Sequence, residues 1–142
     1  MYGYGKALTV ERGSRAVHLT ELIEKPALGE AAAVPYGDDI QNLVYVEDAA
    51  RAVVLASQTL KTVSPGLNVG GEDVKVRDAA AIVQDLLPEA KIEVLPGVRD
   101  GSAGYALDTT AEEIGYEPAF SLREGLKRNI NGLRAKTQLP QI

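Results

Sequence analysis

Short β-branched runs alternate with segments of helical apolar period along the whole chain, with no repeat, low-complexity stretch or long linker between them. A chain patterned this way folds as an α/β or α+β domain, because each element has one apolar face that the next must cover. From position 16 to 27, Leu19, Leu22 and Ile23 share one helical face, and Pro26 and Gly29 punctuate its end. An apolar run at 31–34 is stopped by Pro35-Tyr36-Gly37-Asp38-Asp39, a turn signal. Leu43-Val44-Tyr45-Val46 reads as a strand, and Asp48 as the N-cap of a helix that buries Ala49, Ala52, Val53, Ala56 and Leu60. Leu67-Asn68-Val69 and the run at 92–95 are two further short strands. Val74-Lys75-Val76 leads into a helix striped by Ala79, Ile82, Val83, Leu86 and Leu87. Thr109 with Glu112, and Ser121 with Glu124, fit two capping boxes. The second opens a last helix buried along Leu122, Leu126, Ile130 and Leu133, and residues 138–142 read as a frayed end.

Composition narrows the function classes. At 142 residues the chain suggests one domain, and a domain of this size buries roughly two-thirds of its unfolded surface. With 45% hydrophobic and 25% charged residues of both signs, it has the make-up of a folded globule. Fifteen basic residues against twenty acidic ones leave a net charge of −5, which argues against the basic face a nucleic-acid partner requires. The absence of cysteine excludes disulfides and thiolate chemistry and fits a cytoplasmic setting. One histidine leaves metal and Ser-His-Asp sites short of parts. No apolar run approaches the ~20 residues of a membrane span, and no signal-peptide pattern opens the sequence.

Few residues invite chemistry. Gly3-Tyr4-Gly5 has two glycines of a dinucleotide fingerprint, but Leu8 stands at the third position and no strand precedes it. Tyr2 and Lys6 have a Tyr-x-x-x-Lys spacing, yet two intervening glycines oppose the helix that would put both on one face. His18 lacks a nearby second ligand and reads as a surface or boundary residue. Asp38-Asp39 could meet a cation, although the turn explains both acids without one. Arg123, Lys127, Arg128, Arg134 and Lys136 read as a solvated helix face. Arg99, on the glycine-rich stretch at 96–104, is either a forked phosphate ligand or a solvated loop arginine.

Taken in order, six segments resemble one family. They are Tyr2-Gly3-Tyr4-Gly5-Lys6; the run from Asn42 through Tyr45-Val46-Glu47-Asp48 to Ala52; Leu67-Asn68-Val69-Gly70-Gly71; Tyr105-Ala106-Leu107-Asp108; Gly115-Tyr116-Glu117-Pro118; and Ser121-Leu122-Arg123-Glu124-Gly125-Leu126. The series resembles the C-terminal half of extended short-chain dehydrogenases, the NAD-dependent epimerase/dehydratase family typified by nucleotide-sugar epimerases. The resemblance implies an α/β, partial Rossmann-type fold with short strands and four to five helices. Residues 1–142 would be a single C-terminal substrate-binding portion, with the 49–60 helix packed on a sheet containing the strand at 67–69.

The same resemblance places Tyr2 and Lys6 on a loop near the substrate and Arg99 on its diphosphate. Gln41, beside Asn42, stands where many members have a phosphate-facing arginine, a departure that leaves a smaller or differently charged substrate open. The family's dinucleotide-binding half and catalytic pair have no counterpart in the sequence. No catalytic, cofactor-binding or metal residue is therefore assigned, and NAD or NADP is implied only for the full-length family. The expectation is a truncated epimerase-like protein, inactive alone, that takes a nucleotide-sugar or other small polar substrate. The alternative is a stand-alone binding or assembly module, a homodimer or the complement of an N-terminal chain, joined through apolar surface on the 49–60 helix and the 67–69 strand. Neither reading involves nucleic acid or membrane.

Overall fold

Pro26 shapes the first helix. Proline has no N–H to donate, and its ring crowds the carbonyl four residues back. In the computed structural model, which describes residues 1–4, 17–60, 66–100 and 110–142, helix α1 is α-helical over Val17–Leu19. It widens to a π turn over Thr20–Glu24 and closes over Lys25–Ala27. The Lys25 N–H reaches back to the Thr20 carbonyl, and the wider coil makes room for the ring. Leu22 and Ile23 are buried as the periodicity predicts. Glu21, on the same turn, pairs with Lys25 at 2.5 Å and accepts the Ala33 N–H at 3.0 Å, tying α1 to strand β1 (Ala32–Val34).

Two small sheets follow. β1 runs parallel to β4 (Ile92–Val94), with Ala32 opposite Ile92 and Val34 opposite Val94. β2 (Ile40–Leu43) runs antiparallel to β3 (Glu72–Lys75), with Ile40 opposite Lys75 and Leu43 opposite Glu72. Helix α2 (Val46–Gln58) links β2 toward β3, and α3 (Val76–Leu86) leaves β3 directly. A 3-10 turn at Thr110–Ile114 precedes the last helix, α4 (Leu122–Lys136). Ser121 caps α4 by accepting the Glu124 N–H at 3.3 Å. Leu122, Leu126, Ile130 and Leu133 enter a core shared with Ile23 and Val83. Short strands and four helices give the mixed α/β class that the sequence implies.

Four local expectations need correction. α2 begins at Val46 behind an N-cap at Tyr45 that makes no side-chain capping bond. Asp48 therefore lies inside the first turn, buried, with its carboxylate turned to another segment. The β2 ladder ends at Leu43, earlier than the apolar run suggests. Residues 67–69 form no ladder among the described residues; the Asn68 N–H and carbonyl bond Thr110 Oγ1 and the Ala111 N–H instead. Val69 packs against the cluster of Ala52, Ala111 and Tyr116, so α2 meets this segment without the sheet expected there. The end of the chain is docked: Asn131 accepts the Ile142 N–H at 2.8 Å and donates to its carbonyl at 3.1 Å, and Arg134 bonds the Pro140 carbonyl. Lys6, Thr109 and the Tyr105-Ala106-Leu107-Asp108 segment lie outside the described residues.

Candidate functional site

The turn after β1 and the loop after β4 close on each other. Gly37 is buried at their meeting, where a Cβ would lie 2.6 Å from Val94 Cγ1, so no larger residue fits there. Its N–H donates to the Leu95 carbonyl at 2.8 Å, and the Asp38 N–H donates to the Gly97 carbonyl at 3.0 Å. The carboxylate of Asp38 accepts the Gly97 N–H at 2.9 Å and pairs with Arg77. Asp39, only 1% exposed, accepts the Arg99 N–H at 2.9 Å through Oδ1, while Oδ2 is buried without a partner. The loop carrying Arg99 is thus held by its backbone at several points. The Arg99 guanidinium lies 5.4 Å from the centroid of the Tyr36 ring, within cation–π reach. Tyr36 itself has φ +59°, a left-handed conformation uncommon for a residue with a bulky side chain.

The residues named from the sequence divide into two places. Gln41 sits two positions beyond Asp39 on β2, half-buried and opposite Val74. Asn42 is fixed in the ladder, donating to Asp73 Oδ1 at 2.8 Å and accepting the Gly71 N–H at 2.8 Å. Tyr2 lies elsewhere. Its N–H bonds the Val44 carbonyl at 2.8 Å, its hydroxyl donates to the Leu122 carbonyl at 3.3 Å, and its ring packs on Tyr45. Burial, with Tyr45, Asp48 and Glu72 adding to it, pushes the Tyr2 phenol well above its usual range. Sequence reasoning saw Asp38 and Asp39 as turn residues that could meet a cation, not as holders of the Arg99 loop. Their bonds to Gly97 and Arg99 span 59 and 60 positions, beyond any local pattern.

Two further observations bear on chemistry. A Cβ at Gly3 would lie 2.2 Å from Val46 Cγ1, so this glycine serves close packing on α2. Among the described residues no group of three or more acids or histidines could hold a metal ion. Asp48 accepts the Ala119 N–H at 2.8 Å and the Phe120 N–H at 3.4 Å, with Arg51 at 3.3 Å. It anchors the segment that leads into α4.

No protein-family model matches the sequence, and no curated protein matches it. Solved structures do. The UDP-glucose 4-epimerase of Thermotoga maritima, solved with UDP-glucose, superposes with a TM-score of 0.73 at 28% identity, over 96% of this chain and 44% of that one. An epimerase from Methanothermobacter thermautotrophicus matches with a TM-score of 0.73 at 21% identity, over 96% of this chain and 41% of the other. The UDP-glucuronic acid 4-epimerase of Bacillus cereus, solved with UDP-glucuronic acid and NAD, matches at 0.70 and 21%, over 84% and 40%. The chain thus spans less than half the length of the structures it matches. Over that span it has the fold of the epimerase-type extended short-chain dehydrogenases, as the order of its motifs implies.

Proposed function

We propose that residues 1–142 supply the substrate side of an NAD- or NADP-dependent nucleotide-sugar epimerase or dehydratase, as one C-terminal-type portion with no turnover of its own. Arg99 carries the reading. Its loop is fixed by Asp38 and Asp39, in a fold shared with an epimerase solved with UDP-glucose. A guanidinium fork suits a diphosphate, and a loop fixed at its backbone has less freedom to lose on binding. In this reading Arg99 meets the diphosphate, Gln41 and Asn42 border it, and Tyr2 and Lys6 belong to a loop near the substrate. The neutral Gln41 makes another small polar substrate compatible with the same corner. Hydride and proton transfer need a nicotinamide and a proton donor. We assign neither to this chain, and a cytoplasmic setting suits both the chemistry and the lack of cysteine.

Calorimetric titration of the chain with UDP, UDP-glucose and NAD tests this. UDP-glucose should saturate, Arg99→Ala should weaken it about tenfold to a hundredfold, and NAD should give no signal. Reduction of NAD by the isolated chain, or UDP-glucose binding indifferent to Arg99, would overturn the reading.

A second reading rests on α2. Val53 and Val54 are 69% and 53% exposed, and Leu60 just beyond the helix is fully exposed. Apolar surface of this kind suits a stand-alone assembly module, a homodimer or the complement of a chain bearing the dinucleotide site. Saturable self-association with no nucleotide signal would favour it.

A further inference from the structure

We propose that Asp39 is a positioning residue for Arg99: when a diphosphate binds, Asp39 Oδ2 accepts an N–H from the Arg99 guanidinium and fixes which edge of that ion faces the ligand. The proposal rests on the reading that Arg99 meets the diphosphate, and it adds a residue that acts through Arg99 without touching the ligand. Its starting point is one oxygen. Asp39 is 1% exposed, and most of its polar groups are spent. Its N–H donates to the Tyr36 carbonyl at 3.0 Å, and its carbonyl accepts the Val76 N–H at 2.9 Å. Oδ1 accepts the Arg99 N–H at 2.9 Å, and Oδ2 is buried without a partner.

A buried carboxylate oxygen without a donor has given up its hydration for nothing, so it draws any donor that reaches it. The turn around it narrows the candidates. Arg77 spends its guanidinium on the Gly37 carbonyl and the Asp38 carboxylate. The Gly97 N–H is taken by Asp38, and the Val76 N–H by the carbonyl of Asp39 itself. Arg99 is placed differently. Its backbone N–H is held by the other oxygen of the same carboxylate, so its side chain departs from beside Oδ2. Its guanidinium lies over Tyr36, which belongs to the same turn as Asp39.

The shape of a guanidinium makes the two duties compatible. It is planar, with all its N–H donors along the edges and none on the faces. Tyr36 takes a face. One edge turned inward to Oδ2 leaves the opposite edge as a fork for a diphosphate. In the free chain water serves the edges, and the guanidinium rests on Tyr36. A diphosphate takes the outer edge and displaces that water, and the inner edge then has Oδ2 as its acceptor. A functional side chain locked in this way by a supporting hydrogen bond holds its ligand in one geometry.

A double-mutant cycle on the full chain, read by calorimetric titration with UDP-glucose, tests this. Asp39→Asn keeps an acceptor for the Arg99 N–H but removes the charge facing the guanidinium, and should weaken UDP-glucose about threefold to tenfold. In the Arg99→Ala background the same change should cost less than about twofold, because its effect passes through the guanidinium. A merely structural role would cost the same in both backgrounds. A second measurement needs no variant at Asp39: saturating the unaltered chain with UDP-glucose should split the averaged Arg99 Nη–H signal in NMR spectra, since both edges are then held. UDP-glucose binding indifferent to Arg99→Ala overturns the Arg99 reading and this proposal with it. Binding that needs Arg99 but ignores Asp39→Asn, an equal cost in both backgrounds, or an Nη–H signal still averaged at saturation overturns this proposal alone.

Discussion

Gly125 and Gly132 stand seven positions apart on α4, where each would ordinarily cost the helix about 1 kcal/mol relative to alanine. Both are notches for the N-terminal segment. A Cβ at Gly125 would lie 2.1 Å from the Tyr2 hydroxyl, and one at Gly132 would lie 2.8 Å from Tyr4 Cγ. The two tyrosines differ in freedom: Tyr2 is buried and bonded to Leu122, whereas Tyr4 is half exposed. Gly125→Ala should therefore cost about 1–3 kcal/mol in urea unfolding, because the ring has nowhere to go. Gly132→Ala should stay within about 0.5 kcal/mol, the helix gain offsetting a displaced surface ring. Equal losses at both sites would contradict this account of the notches.

The phenols of Tyr2, Tyr45 and Tyr116 are all raised, in each case first by burial. A group whose folded pKa exceeds its unfolded value contributes stability that is whole below the unfolded pKa and is lost above it. Urea midpoints should accordingly hold to about pH 10 and fall beyond it. Tyr2→Phe should make that alkaline fall shallower, at the cost of one hydrogen bond at neutral pH. An unchanged slope would mean that Tyr2 does not stay protonated in the folded chain.

At the scale of elements, Asp48 joins α2 to the start of α4. Asp48→Ala removes the acceptor of the part-buried Ala119 and Phe120 N–H groups and should cost about 1–3 kcal/mol, whereas Asp48→Asn keeps an acceptor and should cost less. Ser121→Ala should cost about 1 kcal/mol, the usual loss for one cap. Thermal melts of the three variants rank them directly, and a harmless Asp48→Ala would contradict the anchoring role. These two residues also mark what could be read in advance. Ser121 acts within one helical turn, so its pattern and its bond coincide. Asp48 looked like a cap because a carboxylate next to an apolar period usually is one. Its real partners lie 71 and 72 positions away, and no local window contains them.

The same division holds at the Arg99 corner. The Pro35-Tyr36-Gly37 turn was legible from its residues, but its grip on Gly97 and Arg99 was not. Strands fared worst. Residues 67–69 have strand composition, yet a strand exists only where a neighbour completes the ladder. Here the bonds go to Thr110 and Ala111.

For the molecule as a whole, the central fact is what α2 leaves uncovered. It buries only Asp48 and Ala52 well, while Val53 and Val54 face outward from a helix that is almost all Ala, Val and Leu beyond Arg51. Among the described residues the two sheets have two strands each, a size that is marginal without further packing. Structures sharing this fold have more than half their length outside the shared span. In the assembly reading proposed above, the chain gains by covering α2 with another protein surface. Light scattering over a concentration series should show self-association, unless a chain bearing the dinucleotide site is added and displaces it. Val53→Lys with Val54→Lys should abolish both associations. It should shift monomer stability by no more than about 0.5 kcal/mol per site, since neither side chain is buried and lysine is the better helix former. If the unaltered chain stays monomeric at high concentration and binds no such partner, the α2 face is merely exposed. Loss of association together with loss of fold in the double variant would place Val53 and Val54 in the chain's own core, contrary to their exposure.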